Sequence, residues 1–102
     1  SLKGTRLDHM INMAERLGLA PRPVRLEVDE LRKLTVPSIL HWDMDHFVVL
    51  CKTTANTVSI IDPASGKRNI SFREASEHFT GVALELAPVT RFVKLPKVRK
   101  IS

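Results

Sequence analysis

The chain has 102 residues and a net charge of +5, with 43% hydrophobic and 26% charged residues; that is one domain's worth of sequence, with enough apolar material for a core. This balance excludes a second independent domain and a charge-rich disordered chain, and no apolar run approaches the roughly 20 residues that span a bilayer. A single cysteine, Cys51, excludes an internal disulfide framework and a multi-thiolate metal site, and reads as the thiol of an intracellular protein. The positive charge is local. Residues 1–90 hold 11 Lys and Arg against 11 Asp and Glu, so Arg91, Lys94, Lys97, Arg99 and Lys100 carry the whole excess. A neutral body with only 5% aromatic residues lacks the basic surface and the stacking groups of a nucleic-acid binder.

Leu7, Met10, Ile11, Ala14 and Leu17 recur at spacings of three and four, which predicts an amphipathic helix over 6–17 with Thr5 as N-cap and Gly18 as its stop. Pro21 and Pro23 end any helix, and Val24, Leu26 and Val28 alternate with Arg25 and Glu27 as a half-buried strand does. Asp29 can cap a short helical turn through Leu34. Pro37 returns the chain to extended geometry, Ser38 to Trp42 predicts a strand, and Asp43-Met44-Asp45 a bend. Phe47 to Cys51 and Val58 to Ile61 are β-rich runs on either side of the polar stretch Lys52 to Thr57, which makes them a hairpin. After a turn at Pro63 to Gly66 comes a short strand over 67–70. Ser71 and Glu74 then form a capping box for a helix over 72–79, stopped by Gly81, and Val82, Leu84 and Leu86 alternate in a last strand closed by Pro88. The class is α+β, a mostly antiparallel sheet with peripheral helices.

Folded about Thr54, the hairpin opposes residues whose numbers add to 108. His46 then faces Asp62, Val48 faces Ile60 and Leu50 faces Val58, and the period of two puts all six on one face. Phe47, Val49, Cys51, Ser59 and Ile61 share the other face, which is also largely apolar and predicts a hairpin covered on both sides. Opposed residues have Cβ atoms about 4.5–5.5 Å apart, close enough for Asp62 to accept a proton from one imidazole nitrogen of His46 and leave the other nitrogen free. Two readings of the pair stand side by side: a structural hydrogen bond, or a general base held in tautomer and direction by its acid. Cys51 cannot supply the nucleophile, because five residues along a strand is roughly 16 Å from His46 and turns the side chain to the opposite face. It is expected to be buried as a small apolar residue. His9, His41 and His78 fall on different elements without metal-ligand spacing, so no zinc site is expected.

Four stretches, Ser1 to Leu7 (SLKGTRL), Ile39 to Leu50 (ILHWDMDHFVVL), Ile60 to Gly66 (IIDPASG) and His78 to Pro88 (HFTGVALELAP), stand in an order that resembles the bacteriocin-processing cysteine peptidase domain. That papain-like domain opens the peptidase-containing ABC transporters, and those of the colicin V secretion type look closest. The resemblance covers about residues 1–90. It implies a papain-like cysteine peptidase fold, His46 as catalytic base and Asp62 as its orienting acid. It also implies that the Cys nucleophile and an oxyanion-hole Gln lie on and just before a helix preceding the SLKG motif. A chain that opens on Ser1 without an initiating Met is therefore expected to be the C-terminal part of the domain, lacking the nucleophile helix and inactive alone. Asp45, where the family often has Asn, departs from the pattern and sets a second carboxylate beside the base.

Members of that family cut the leader of a secreted peptide after a Gly-Gly pair before export. The chemistry implied is attack by a thiolate that His46 activates, in a cleft too narrow for Cβ atoms, with the apolar residues of the leader docked in a nearby groove. Trp42 and Met44, which flank the turn before His46, are the candidate substrate-binding residues, with core packing the alternative for Trp42. No cofactor is expected for this domain. Nothing resembles a Gly-rich phosphate loop, and ATP belongs to a separate domain of the parent transporter. Residues 91–102 read as a basic linker towards a transmembrane domain on the cytoplasmic side of the bacterial inner membrane, or as a solvated tail. The expected partners are the leader peptide and the parent's transmembrane and ATPase domains, with no nucleic acid. Two other functions stay open at this point: a non-catalytic, peptidase-like module that docks the export substrate, and a small basic adaptor.

Overall fold

Alternating apolar residues along six segments pair into one antiparallel sheet in a computed structural model that describes residues 2–88. The strands are β1 (Leu19–Arg25), β2 (Ser38–Trp42), β3 (His46–Thr53), β4 (Thr57–Asp62), β5 (Gly66–Ser71) and β6 (Phe79–Pro88), in the spatial order β1-β6-β2-β3-β4-β5. Two helices, α1 (Leu2–Arg16) and α2 (Phe72–His78), and a 3-10 helix (Val28–Lys33) pack on it. Leu40, Trp42, Val48, Leu50, Val58 and Ile60 are buried on one face, covered by Leu31 of the 3-10 helix and by Phe72 and Ala75 of α2. Each such side chain, fully buried, contributes about 1.5–3 kcal/mol. Ile39, Phe47 and Leu84 form a smaller cluster on the other face, closed by Ile11 of α1. Because α1 packs along β1, at the far end of the strand order from β4, that second face thins out, and Ile61 is 44% exposed. The expectation of a hairpin covered on both faces is met on one face only.

The first helix begins at Leu2 and ends at Arg16, so Thr5 lies inside it and Leu17 falls beyond it, 72% exposed. Gly18, at φ 81°, is the left-handed stop that was expected. β1 starts at Leu19 and takes in both Pro21 and Pro23, which an edge strand tolerates because it has a partner, β6, on one side only. Val28 belongs to the 3-10 helix, where Glu30 Oε1 accepts the Glu27 N–H at 2.7 Å, so the cap is Glu27 and not Asp29. Ser71 Oγ accepts the Glu74 N–H at 3.0 Å as a cap should, whereas the Glu74 carboxylate turns to Arg68 at 3.1 Å. Gly81 is no helix stop. It sits inside β6 at φ 98°, and its carbonyl accepts the Leu26 N–H at 2.9 Å.

The central hairpin is longer than expected and differently registered. Thr54 Oγ1 accepts the N–H groups of Asn56 and Thr57 at 3.2 and 3.0 Å, which tightens the turn and lets Lys52 and Thr53 join β3. Val49 pairs with Ile61 and Leu50 with Ile60, then the register shifts by one so that Lys52 pairs with Ser59. Cys51 is the extra residue of this bulge. It is half-buried rather than buried, since a bulge residue has no cross-strand partner to cover it. On the His46 side of the bulge the true register differs from the expected one by two residues, an even number that keeps side chains on their predicted face; beyond it the difference is three, and Cys51 takes up the odd residue so that Val58 stays in the buried cluster with Leu50. The expectations for residues 91–102 lie outside the described residues.

Candidate active site

His46 opens β3 and Asp62 closes β4. In the observed register Asp62 lies diagonal to His46 rather than opposite, a separation that long side chains still bridge. His46 Nε2 donates to Asp62 Oδ1 at 2.7 Å. An ionised carboxylate only accepts, so the proton sits on Nε2 and the lone pair of the neutral ring on Nδ1. Among the described residues no hydrogen bond is made to that Nδ1. The side chains are 27% and 11% exposed respectively, which leaves the ring accessible and the carboxylate nearly enclosed.

Asp62 is held twice over. It begins the turn that Pro63 continues, and its Oδ1 also accepts the Ala64 N–H at 2.8 Å, while its carbonyl accepts the Ser65 N–H at 3.2 Å. Gly66, at φ 85°, completes the turn in a conformation that suits glycine. Burial alone would raise the Asp62 pKa, but the hydrogen bonds from His46, Ala64 and Ser65 and the attraction of the His46 ring outweigh it and hold the carboxyl below its ordinary value. The group is a fixed negative charge aimed at one imidazole nitrogen.

The turn between β2 and β3 carries the second part of the site. Asp43 and Met44 both have left-handed backbones, at φ 51° and 67°, a conformation that costs a non-glycine residue on the order of 1 kcal/mol or more. Two histidines that the sequence left scattered meet here. His41 Nε2 donates to the Met44 carbonyl at 2.9 Å and its Nδ1 lies 2.8 Å from Thr80 Oγ1. His78 Nδ1 donates to Asp43 Oδ1 at 2.7 Å, and the His78 carbonyl accepts the Asp43 N–H at 2.8 Å. Met44 is three residues from His41, but Asp43 and Thr80 are 35 and 39 residues from their partners, so no local spacing could have shown those two contacts. Met44 is 65% exposed beside this turn. Trp42 is 2% exposed and stacks on the His78 ring, centroids 5.3 Å apart and planes 10° from parallel. The structure thus places Trp42 in the core beneath the turn and Met44 on the surface above it.

Beyond Trp42 the same face opens into a groove of about 530 Å³ in which Leu26, Val28 and Phe79 are the apolar residues, among Arg25, Glu27, Glu30, Ser76, Thr80 and Gly81. Phe79 pairs with Trp42 and Trp42 with His46, so two strand spacings, about 10 Å, separate the groove from the base. Cys51 lies five residues along β3, roughly 16 Å from His46. No cluster of three or more His, Cys, Asp or Glu among the described residues is arranged to hold a metal.

An imidazole with one nitrogen on an enclosed carboxylate, and no hydrogen bond to the other among the described residues, thus stands at the end of an antiparallel sheet, and the comparisons say which family carries this sheet. The chain matches the Peptidase C39 family over residues 1–91 and belongs to it. It is 50% identical over 92 residues to the colicin V secretion/processing ATP-binding protein CvaB of Escherichia coli, a match that takes in 90% of this chain and 13% of that one. It is 42% identical over 102 residues to the probable microcin-H47 secretion/processing ATP-binding protein MchF of Escherichia coli, covering 100% of this chain and 15% of that one. Among solved structures it is similar to a double glycine motif protease from an AMS/PCAT transporter in complex with the leader peptide, with a TM-score of 0.71 and 37% identity over 76% of this chain and 56% of that one. The fold is the papain-like fold of C39 peptidase domains.

Proposed function

We propose that these 102 residues supply the base half of a leader-peptide endopeptidase belonging to an ABC exporter of small secreted peptides. The observation that carries this reading is the His46 ring, with Nε2 bound to an enclosed carboxylate and Nδ1 without a hydrogen bond among the described residues. Family membership supports it, as does the likeness to a double glycine motif protease that holds a leader peptide. In this reading a cysteine thiol from outside these residues gives its proton to His46 Nδ1 and attacks the carbonyl of the second glycine. Asp62 stabilises the imidazolium, which then protonates the departing amine, and His46 acts again as base when water releases the acyl group. Met44 lies beside the bound peptide, Trp42 forms the floor beneath the turn, and the groove at Leu26 and Phe79 receives apolar side chains of the leader. ATP hydrolysis belongs to another domain of the parent, whose membrane segments follow the basic residues 91–102 on the cytoplasmic side.

A peptide carrying a leader, a Gly-Gly pair and the start of a mature sequence tests this. The 102-residue chain alone leaves it intact, the parent chain cuts after the second glycine, and His46→Ala in the parent abolishes cutting. Undiminished cleavage by the His46→Ala parent removes His46 as base. A wild-type parent that binds the peptide and never cuts it is a docking module.

A further inference from the structure

His41 and His78 take no part in the reaction outlined above, yet both converge on the three-residue turn that delivers His46 to β3. Resting on the reading of His46 as base, we propose that Asp43, His78 and His41 are positioning residues, which hold this turn so that the His46 ring meets Asp62. Two consecutive non-glycine residues in left-handed conformations, Asp43 and Met44, make a backbone that its own torsional preferences oppose. Something outside the turn must hold it, and four hydrogen bonds do. Asp43 is tied to His78 through both its backbone N–H and its carboxylate, at 2.8 and 2.7 Å. The Met44 carbonyl is tied to His41, and His41 to Thr80 of β6, at 2.9 and 2.8 Å. A carbonyl only accepts, so His41 carries a proton on Nε2, while the Thr80 hydroxyl lies 2.8 Å from Nδ1 and 3.3 Å from the His41 carbonyl and ties both to β6.

These links are coupled to His46 by two routes. Along the chain, His46 is three residues from Asp43, and the turn between them carries one further bond, Asp45 N–H to the Asp43 carbonyl at 2.8 Å. Across the sheet, the His78 ring stacks on Trp42, whose register partner is His46. A released turn therefore shifts both the backbone that carries the ring and the wall behind it. Because a general base works only at hydrogen-bond range, a displacement of about 1 Å is enough to cost on the order of 100-fold in rate.

The variants separate the bonds from the packing. Asp43→Ala removes the acceptor and tolerates φ 51° poorly, Asp43→Asn keeps an acceptor oxygen and suits that backbone, and His78→Phe keeps a ring on Trp42 while losing the donor. Two readouts apply: the imidazole signals of His46 in the 102-residue protein by nitrogen-edited NMR, and kcat and KM for leader cleavage by the parent chain. With Asp43→Ala or His78→Phe, the protected Nε2–H signal of His46 is lost to exchange with water and kcat falls about 10- to 100-fold with KM within twofold; with Asp43→Asn both readouts stay near wild type. If Asp43→Ala unfolds the chain, His78→Phe decides. A protected His46 Nε2–H and a kcat within twofold of wild type in His78→Phe overturn the proposal. A parent that still cuts as His46→Ala overturns instead the reading beneath it, whatever the turn variants do.

Discussion

Two histidine-aspartate pairs stand within a few residues of each other, each closed by a 2.7 Å hydrogen bond, and their surroundings differ in almost every other respect. Asp62 is nearly enclosed, accepts a second bond from the backbone and has a depressed pKa, while the ring it holds has no hydrogen bond to its other nitrogen among the described residues. Asp43 is half-exposed, sits on a left-handed backbone, and holds a ring whose face is spent on Trp42. The same bond length therefore serves two ends. An enclosed carboxylate with several donors is a fixed charge that can stabilise an imidazolium, whereas an exposed ion pair adds little energy of its own and matters through the geometry it fixes.

That contrast can be broken at four points, in descending order of effect. Trp42→Ala removes the wall behind both pairs and opens a large cavity in the core, so stability should fall by about 3–5 kcal/mol, read as a drop in the urea midpoint. Asp62→Ala strips the acceptor from His46 Nε2–H and Ala64 N–H; we expect a loss of about 1–3 kcal/mol and a fall in cleavage by the parent of about 10²- to 10⁴-fold. Equal cleavage rates in Asp62→Ala and wild type would mean that the enclosed pair is structural only.

The third is a pH titration of stability. A carboxylate whose folded pKa is lowered contributes stability that is fully present above its unfolded pKa near 4, and that contribution disappears as the pH falls through the lowered folded value. Urea midpoints measured between pH 7 and pH 3 should show this acid limb in wild type, and Asp62→Asn should remove the Asp62 share of it. The smallest effect is at the turn. Met44 is largely exposed, so Met44→Gly relieves its left-handed backbone with little packing lost and should change stability by no more than about 1 kcal/mol in the favourable direction, after the entropic cost of glycine. A clear loss of thermal stability would show that the Met44 side chain holds the turn.

Much of the site was legible because a strand's side-chain period is two. The hairpin register read from the apolar runs is off by two residues, yet an even error leaves His46 and Asp62 on one face, and their side chains are long enough to close the diagonal. What set the true register was the Thr54 hydroxyl accepting two backbone N–H groups, a choice that polar turn residues leave open. The Cys51 bulge was illegible for a related reason, since nothing in Leu50-Cys51-Lys52 marks an insertion. Pro21 and Pro23 end the helix as expected, but the strand expected from Val24 begins at Leu19 and takes in both prolines, because a sequence does not say which strand will stand at an edge. The roles of His41 and His78 depend on contacts with Thr80 and Asp43, made across strands that only the assembled sheet brings together.

The two edges of that sheet bear on self-association. On one side β1 offers a strand with Pro21 and Pro23 in it, and prolines, which tend to turn their missing N–H away from the strand's partner, leave gaps in the row of donors an incoming strand needs. On the other side β5 begins Gly66-Lys67-Arg68, so a second copy pairing edge to edge would bring cations against cations. Six strands with no further neighbour at either end among the described residues are an invitation to polymerise. Proline on one margin and positive charge on the other withdraw it.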